Sequence, residues 1–117
     1  MFSDKILAHF REPHNAGELA NASHGSEVTN PVCGDVLRLA IRVEEGRIAV
    51  ARFKAQGCVP AIACASAATD MLVGKTLTEA REIGPAQIAE ALDRLPSASG
   101  HAAELCCDAI AALKPIG

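Results

Sequence analysis

The chain has 117 residues, 11 Lys and Arg against 14 Asp and Glu, and a net charge of −3. With no Lys/Arg run and neither Trp nor Tyr to stack on bases, this composition argues against a nucleic-acid groove. Half of the residues are apolar but only three are aromatic, all Phe, so 23 alanines together with Leu, Ile and Val must build the core, which implies closely packed helices.

The length fits one domain, 1–117. The first residues, MFSDKILAHFREP, lack the apolar run of a signal peptide, and the longest apolar stretch, Cys58 to Ala68, is too short to cross a bilayer. A soluble cytoplasmic protein, not associated with membrane, is expected. Five unevenly placed cysteines without a CxxC pair fit neither a disulfide framework nor a zinc ribbon.

In chain order, Ser3 is a good N-cap for a two-turn helix with Ile6, Leu7 and Phe10 on one face, ended by Pro13. His9, on its other side, and His14, in the following turn, read as solvated surface residues. The segment from His14 to Ser26 reads as loop, with His24 at its end, and Glu27 to Val32 as a short strand that Pro31 confines to an edge or end. The clearest pattern follows. Leu37, Leu39, Ile41 and Val43 alternate with Val36, Arg38, Ala40 and Arg42, Glu44-Glu45-Gly46 turns the chain, and Ile48 to Gln56 returns with Ala49, Ala51, Phe53 and Ala55 on one face. This hairpin brings Cys33 and Asp35 alongside Cys58.

After Pro60 a helix runs to about Val73, with Ile62, Ala65, Ala68, Met71 and Leu72 as its apolar face and Gly74 as its stop. Thr76 and Glu79 form a capping box for a helix over 77–83, Pro85 to Leu92 reads as another, and 95–100 as a loop. The last helix spans His101 to about Leu113, with Leu105, Ala109, Ile110 and Leu113 facing inward.

Chemistry concentrates in three places. Cys33-Gly34-Asp35 enters the hairpin, Cys58 leaves it at a strand-to-helix corner, and His101 opens the last helix. The corner offers exposure and the positive end of a helix dipole, both of which favour a thiolate. Two thiols, a carboxylate and an imidazole around one point make a mixed-ligand site for zinc or an iron–sulfur cluster. Each has a plainer reading as well: a turn-capping Asp35, a surface His101, cysteines as small core residues. For Cys64, Cys106 and Cys107 the core reading is the better one, and Cys106 lies about 6 Å beyond Ala102 along the helix axis at about 1.5 Å per residue.

The stretches FREPHNAGEL, NPVCGDVLRLAIRV, ARFKAQGCVPAIACASAATDMLVGKTLTEA and HAAELCCDAIAAL together resemble, in order and spacing, the IscU/NifU-type iron–sulfur cluster assembly scaffolds. The resemblance covers almost the whole chain. It implies an α/β (α+β) domain in which a small three-stranded antiparallel sheet packs against about five helices. It implies a metal site of Cys33, Asp35, Cys58 and His101; by their positions on the helices, Cys106 and Cys64 are less favoured ligands. The cargo implied is an iron–sulfur cluster, [2Fe-2S] in type, with zinc possible in the isolated protein. The partners implied are a cysteine desulfurase, an iron donor and apo-protein acceptors of the cluster.

Two departures stand out. The third family cysteine, directly after the histidine, is Ala102 here, and the Leu-Pro-Pro-Val-Lys stretch through which some members engage a dedicated chaperone is replaced by Leu95-Pro96-Ser97-Ala98-Ser99. Members of the SufU type resemble the chain less well, because their insertion between the second and third blocks is missing. The expected role is a carrier rather than an enzyme. Alternatives are a zinc-bound sulfur acceptor that regulates a desulfurase, a binding module that has lost cluster assembly, and, least favoured, a Cys/His hydrolase built on Cys58 and His101.

Overall fold

The computed structural model describes residues 2–116. Its elements are α1 (Asp4–Arg11), β1 (His24–Thr29), β2 (Val36–Glu44), β3 (Arg47–Gln56), α2 (Val59–Leu72), α3 (Leu77–Arg81), α4 (Pro85–Ala91), a 3-10 turn (Ser97–Ser99), α5 (Gly100–Ala111) and β4 (Lys114–Pro115). The strands form one antiparallel sheet in the order β3-β2-β1-β4. It has four strands rather than the expected three, because Lys114 and Pro115 pair with Gly25 and His24. Two residues carry no readable period, so β4 leaves no trace in the pattern. The first strand also lies earlier than expected, at His24–Thr29, and is interior rather than marginal. Asn30 and Pro31 instead begin the loop that follows it.

The β2–β3 hairpin turns on Glu45 and Gly46, both with positive φ (53° and 78°), the conformation that matches the twist of a two-residue connection. Leu37, Leu39 and Ile41 are buried as the alternation requires. On β3 the alternation slips. Arg42 faces Val50 but Val43 faces Ile48, so Ala49 is an extra, exposed residue and Ile48 takes the buried place expected for it. The free edge of β3 is covered by the loop after α1, where Phe53 N–H donates to Asn15 C=O (3.0 Å) and Gly17 N–H to Phe53 C=O (2.9 Å).

Helix α2 is the centre of the molecule. Its residues from Pro60 to Thr69 are buried with the sole exception of half-buried Ile62, so it has no single apolar face; it packs against α1, α4, α5 and β3 together. A helix that is apolar all round is an interior one, and its alanines let neighbouring axes approach to about 8 Å. Each large aliphatic sealed in the surrounding core, such as Ile6, Ile41, Ile88 or Ile110, contributes about 1.5–3 kcal/mol by removal from water. Helix α5 rests on α2, β1 and β2 with Leu105, Ala109 and Ile110 inward as expected, and Ser26 Oγ on β1 donates to the Ala109 carbonyl at 2.7 Å. Among the described residues no helix is long and apolar enough to cross a membrane.

Candidate metal centre

The site is made by the end of the hairpin. Val36 on β2 is paired with Gln56 on β3, so Asp35 and Gly57 stand side by side just beyond the last rung. Gly57 is required there. A Cβ at that position would lie 2.7 Å from Asp35 Cγ and 2.8 Å from Oδ1, closer than nonbonded atoms approach, so only glycine lets the carboxylate fold down over the sheet end. Asp35 is accordingly 6 % exposed, although its neighbours Cys33 and Gly34 are open to solvent.

The loop before β2 is closed by its own backbone. Asn30 N–H donates to the Asp35 carbonyl and Gly34 N–H to the Asn30 carbonyl, each at 2.8 Å, while Val32 N–H donates to Asn30 Oδ1 at 2.9 Å. Gly34 has φ +76°, a conformation costly for other residues. The result is a tight projection that holds Cys33 out in water. Val32, 93 % exposed, flanks it.

Across from this projection, His101 sits in the first turn of α5, half-buried. One ligand atom each from Cys33, Asp35 and His101 lies within 4.8 Å of the other two. Cys58 joins this trio through Asp35: its thiol donates to Asp35 Oδ2 across 3.2 Å from the N-cap of α2. All four of the residues picked from the sequence therefore gather at one end of the sheet. A cleft of about 200 Å3 continues from His101 along α5, lined by Thr29, Asn30 and Pro31 on one side and by Glu104 and Asp108 on the other.

At Cys58 the pull of the helix N-terminus toward a thiolate is present but outweighed. Desolvation at the corner pushes the Cys58 thiol up from its ordinary value; the Ala61 N–H opposes this, but Asp35 adds to it both by accepting the S–H and by its charge. In the unloaded chain the proton stays on the Cys58 sulfur, and a metal must displace it.

The other cysteines are elsewhere. Cys64 is sealed in α2 and burial pushes its thiol up to about 12. Cys106 is 2 % exposed, packed with Leu37, Phe53, Leu72 and Ile110 beneath the sheet, and desolvation carries its thiol well above the ordinary value. Cys107 Sγ donates to the Ile83 carbonyl at 3.4 Å. Ala102, where a third thiol would follow the histidine, has no exposed surface. Sequence reasoning missed Gly57 as the residue that admits Asp35 and Asn30 as the clasp of the Cys33 loop; the GC pair after an alternating strand was the available signal for the first.

The chain matches the family model described as NifU-like N terminal domain over residues 1–114. It is 44% identical over 115 residues to the iron–sulfur cluster assembly scaffold protein IscU of Azotobacter vinelandii, covering 95% of this chain and 89% of that one. With IscU of Escherichia coli K12 the figures are 43%, 95% and 89%, and with IscU 1 of Archaeoglobus fulgidus 43% over 110 residues, 94% and 72%. Among solved structures, the N-terminal part of a nitrogen-fixing NifU-like protein from Brucella abortus superposes with a TM-score of 0.70 at 17% identity, over 92% of this chain and 88% of that one, a likeness of fold alone. By matched family model and by identity over nearly its whole length, this chain belongs to the NifU-like N-terminal domain family.

Proposed function

We propose that the protein is an iron–sulfur cluster assembly scaffold, in which Cys33, Asp35, Cys58 and His101 hold the growing cluster and release it to apo-proteins. The observation that carries this reading is the gathering of two thiols, a carboxylate and an imidazole at one sheet end of a chain 43–44% identical to IscU scaffolds. The donor set suits a cargo that must leave. Thiolates hold iron firmly, whereas the carboxylate is a harder and more readily displaced ligand. In this reading a cysteine desulfurase delivers sulfur to the exposed Cys33 or Cys58 thiol, an iron donor supplies the metal, and the chain acts as a carrier rather than a catalyst. The cluster is of the [2Fe-2S] type, and zinc occupies the same ligands in protein prepared without iron. The Leu-Pro-Pro-Val-Lys stretch through which some family members engage a dedicated chaperone is absent, which leaves that partner in doubt; 95–99 reads Leu-Pro-Ser-Ala-Ser, and Ser97–Ser99 form the 3-10 turn that leads into α5.

Anaerobic reconstitution with iron, cysteine, a desulfurase and a thiol reductant tests the proposal. The parent chain should turn brown with stoichiometric iron and sulfide and should transfer both to an apo-ferredoxin, while Cys33→Ser and Cys58→Ser should not. A colourless parent, or a cluster retained in both variants, overturns it.

A further inference from the structure

A second group of donor side chains lies away from the sheet end, where α1 crosses α2. His9, in the last turn of α1, sets its Nδ1 2.7 Å from Ser66 Oγ, and Ser66 is wholly buried in α2. That hydroxyl also accepts the backbone N–H of His14 at 2.7 Å, so one buried oxygen ties down both the ring of His9 and the turn that carries His14. His14 Nδ1 meets Asp70 Oδ2 at 2.6 Å. Asp70 Oδ1 in turn accepts from Asn15 Nδ2 at 2.9 Å, and Asn15 stands at φ +62° in the same turn. The two imidazole centroids are 4.6 Å apart. One ligand atom each from His9, His14 and Asp70 lies within 4.8 Å of the other two.

We propose that His9, His14 and Asp70 form a second metal site, for a borderline divalent cation such as Zn2+. Two imidazoles and a carboxylate are ligands of that class, and three protein ligands leave a tetrahedral ion an open position. An open groove of about 690 Å3, lined also by Ala8, Glu12 and Ala91, borders both histidines and gives the ion and its remaining ligand access to water. The surrounding groups match a built site. Ser66 and Asn15 occupy the outer positions that orient metal-binding imidazoles and carboxylates. His14 is exposed yet held through its backbone N–H, while its Nδ1 bond to Asp70 Oδ2 must open, with loss of the shared proton, for both side chains to face one ion. Lys5 and Arg11 at the groove oppose a cation, while Asp70 and Glu12 offset them.

The site is separate from the cluster ligands. Asp70 follows Cys58 by twelve residues of α2, about 18 Å at about 1.5 Å per residue. The inference therefore stands or falls independently of the scaffold reading.

Zinc titration of the Cys33→Ser/Cys58→Ser chain, followed by side-chain imidazole 15N resonances and a competing chromophoric chelator, tests it. The expected result is one equivalent of zinc, with the His9 and His14 resonances shifting and those of His24 and His101 unmoved, and loss of that equivalent in His14→Gln. Should the double variant or His14→Gln fail to fold, the unsubstituted chain under the same titration and Asp70→Asn carry the test. No change at His9 and His14 in folded unsubstituted chain under excess zinc, or full zinc uptake retained by a folded His14→Gln or Asp70→Asn chain, overturns the proposal.

Discussion

The Cys58 thiol donates to Asp35 Oδ2 across 3.2 Å, joining the residue that precedes β2 to the N-cap of α2, two residues after β3. The two ends of the hairpin are thus tied by the chemistry of the site itself. Desolvation and the Asp35 carboxylate together hold the proton on sulfur against the pull of the helix N-terminus.

Asp35→Asn removes the charge and the carboxylate acceptor while keeping the shape. The Cys58 pKa, raised in the parent, should fall, so at a pH below it a larger thiolate fraction is present and iodoacetamide alkylation of Cys58 speeds up several-fold. Since desolvation remains, the rate should still rise with pH. Alkylation of each cysteine followed by mass spectrometry checks this; an unchanged or slower Cys58 rate contradicts the role given to Asp35.

Asp35→Ala should leave the fold intact and slow the loss of a reconstituted cluster, because the hard, displaceable ligand is gone. Cluster lifetime by visible absorption under a chelator is the measurement. Faster decay in the variant than in the parent counts against the carboxylate as the releasing ligand.

Gly57→Ala places a methyl 2.7 Å from Asp35 Cγ, so the carboxylate must lift off the sheet end or the corner must shift. As the corner that carries Cys58 shifts, cluster yield should drop toward that of a Cys58 variant, and the chain should lose about 1–3 kcal/mol of stability as a close contact is forced. Urea unfolding and reconstitution, run together, report both. Parent-like values in both would show that the corner is soft.

Ala102 has no exposed surface, so a thiolate at 102 reaches the cluster only as the first turn of α5 shifts on loading; with that shift Ala102→Cys should lengthen cluster lifetime by adding a third thiolate. Cys106→Ala should lower stability by about 1–2 kcal/mol through the cavity it leaves in the core, and leave cluster yield unchanged. If Cys106→Ala loses the cluster while Ala102→Cys changes nothing, Cys106 is a ligand and α5 moves on loading.

Much of this was written in the chain. Strict alternation in Val36 to Val43 announced β2, the Glu45-Gly46 turn followed from the need for positive φ, and Thr76 with Glu79 announced a cap that the structure shows closed in both directions. Cys33, Asp35 and Cys58 could be named because a hairpin of matched arms must bring its two ends together; His101 was named from its place at the start of the last helix, and the resemblance to cluster scaffolds joins it to the other three. Other features depended on packing between distant segments. The bulge at Ala49, the two-residue β4 and the burial of α2 on every side are decided by what lies across from them. The histidines make the same point. His9 and His14 read as solvated surface residues, because nothing local distinguishes a histidine facing water from one facing another helix. Only the crossing of α1 over α2, more than fifty residues apart in sequence, sets them against Ser66 and Asp70. Likewise the ordinary reading of Cys58, a thiolate at a helix N-terminus, follows from local dipoles, whereas the raised thiol follows from desolvation and from a carboxylate that arrives from a different strand. Local sequence sets backbone preference and period; the electrostatics of a side chain is set by whatever the fold brings within a few ångströms of it.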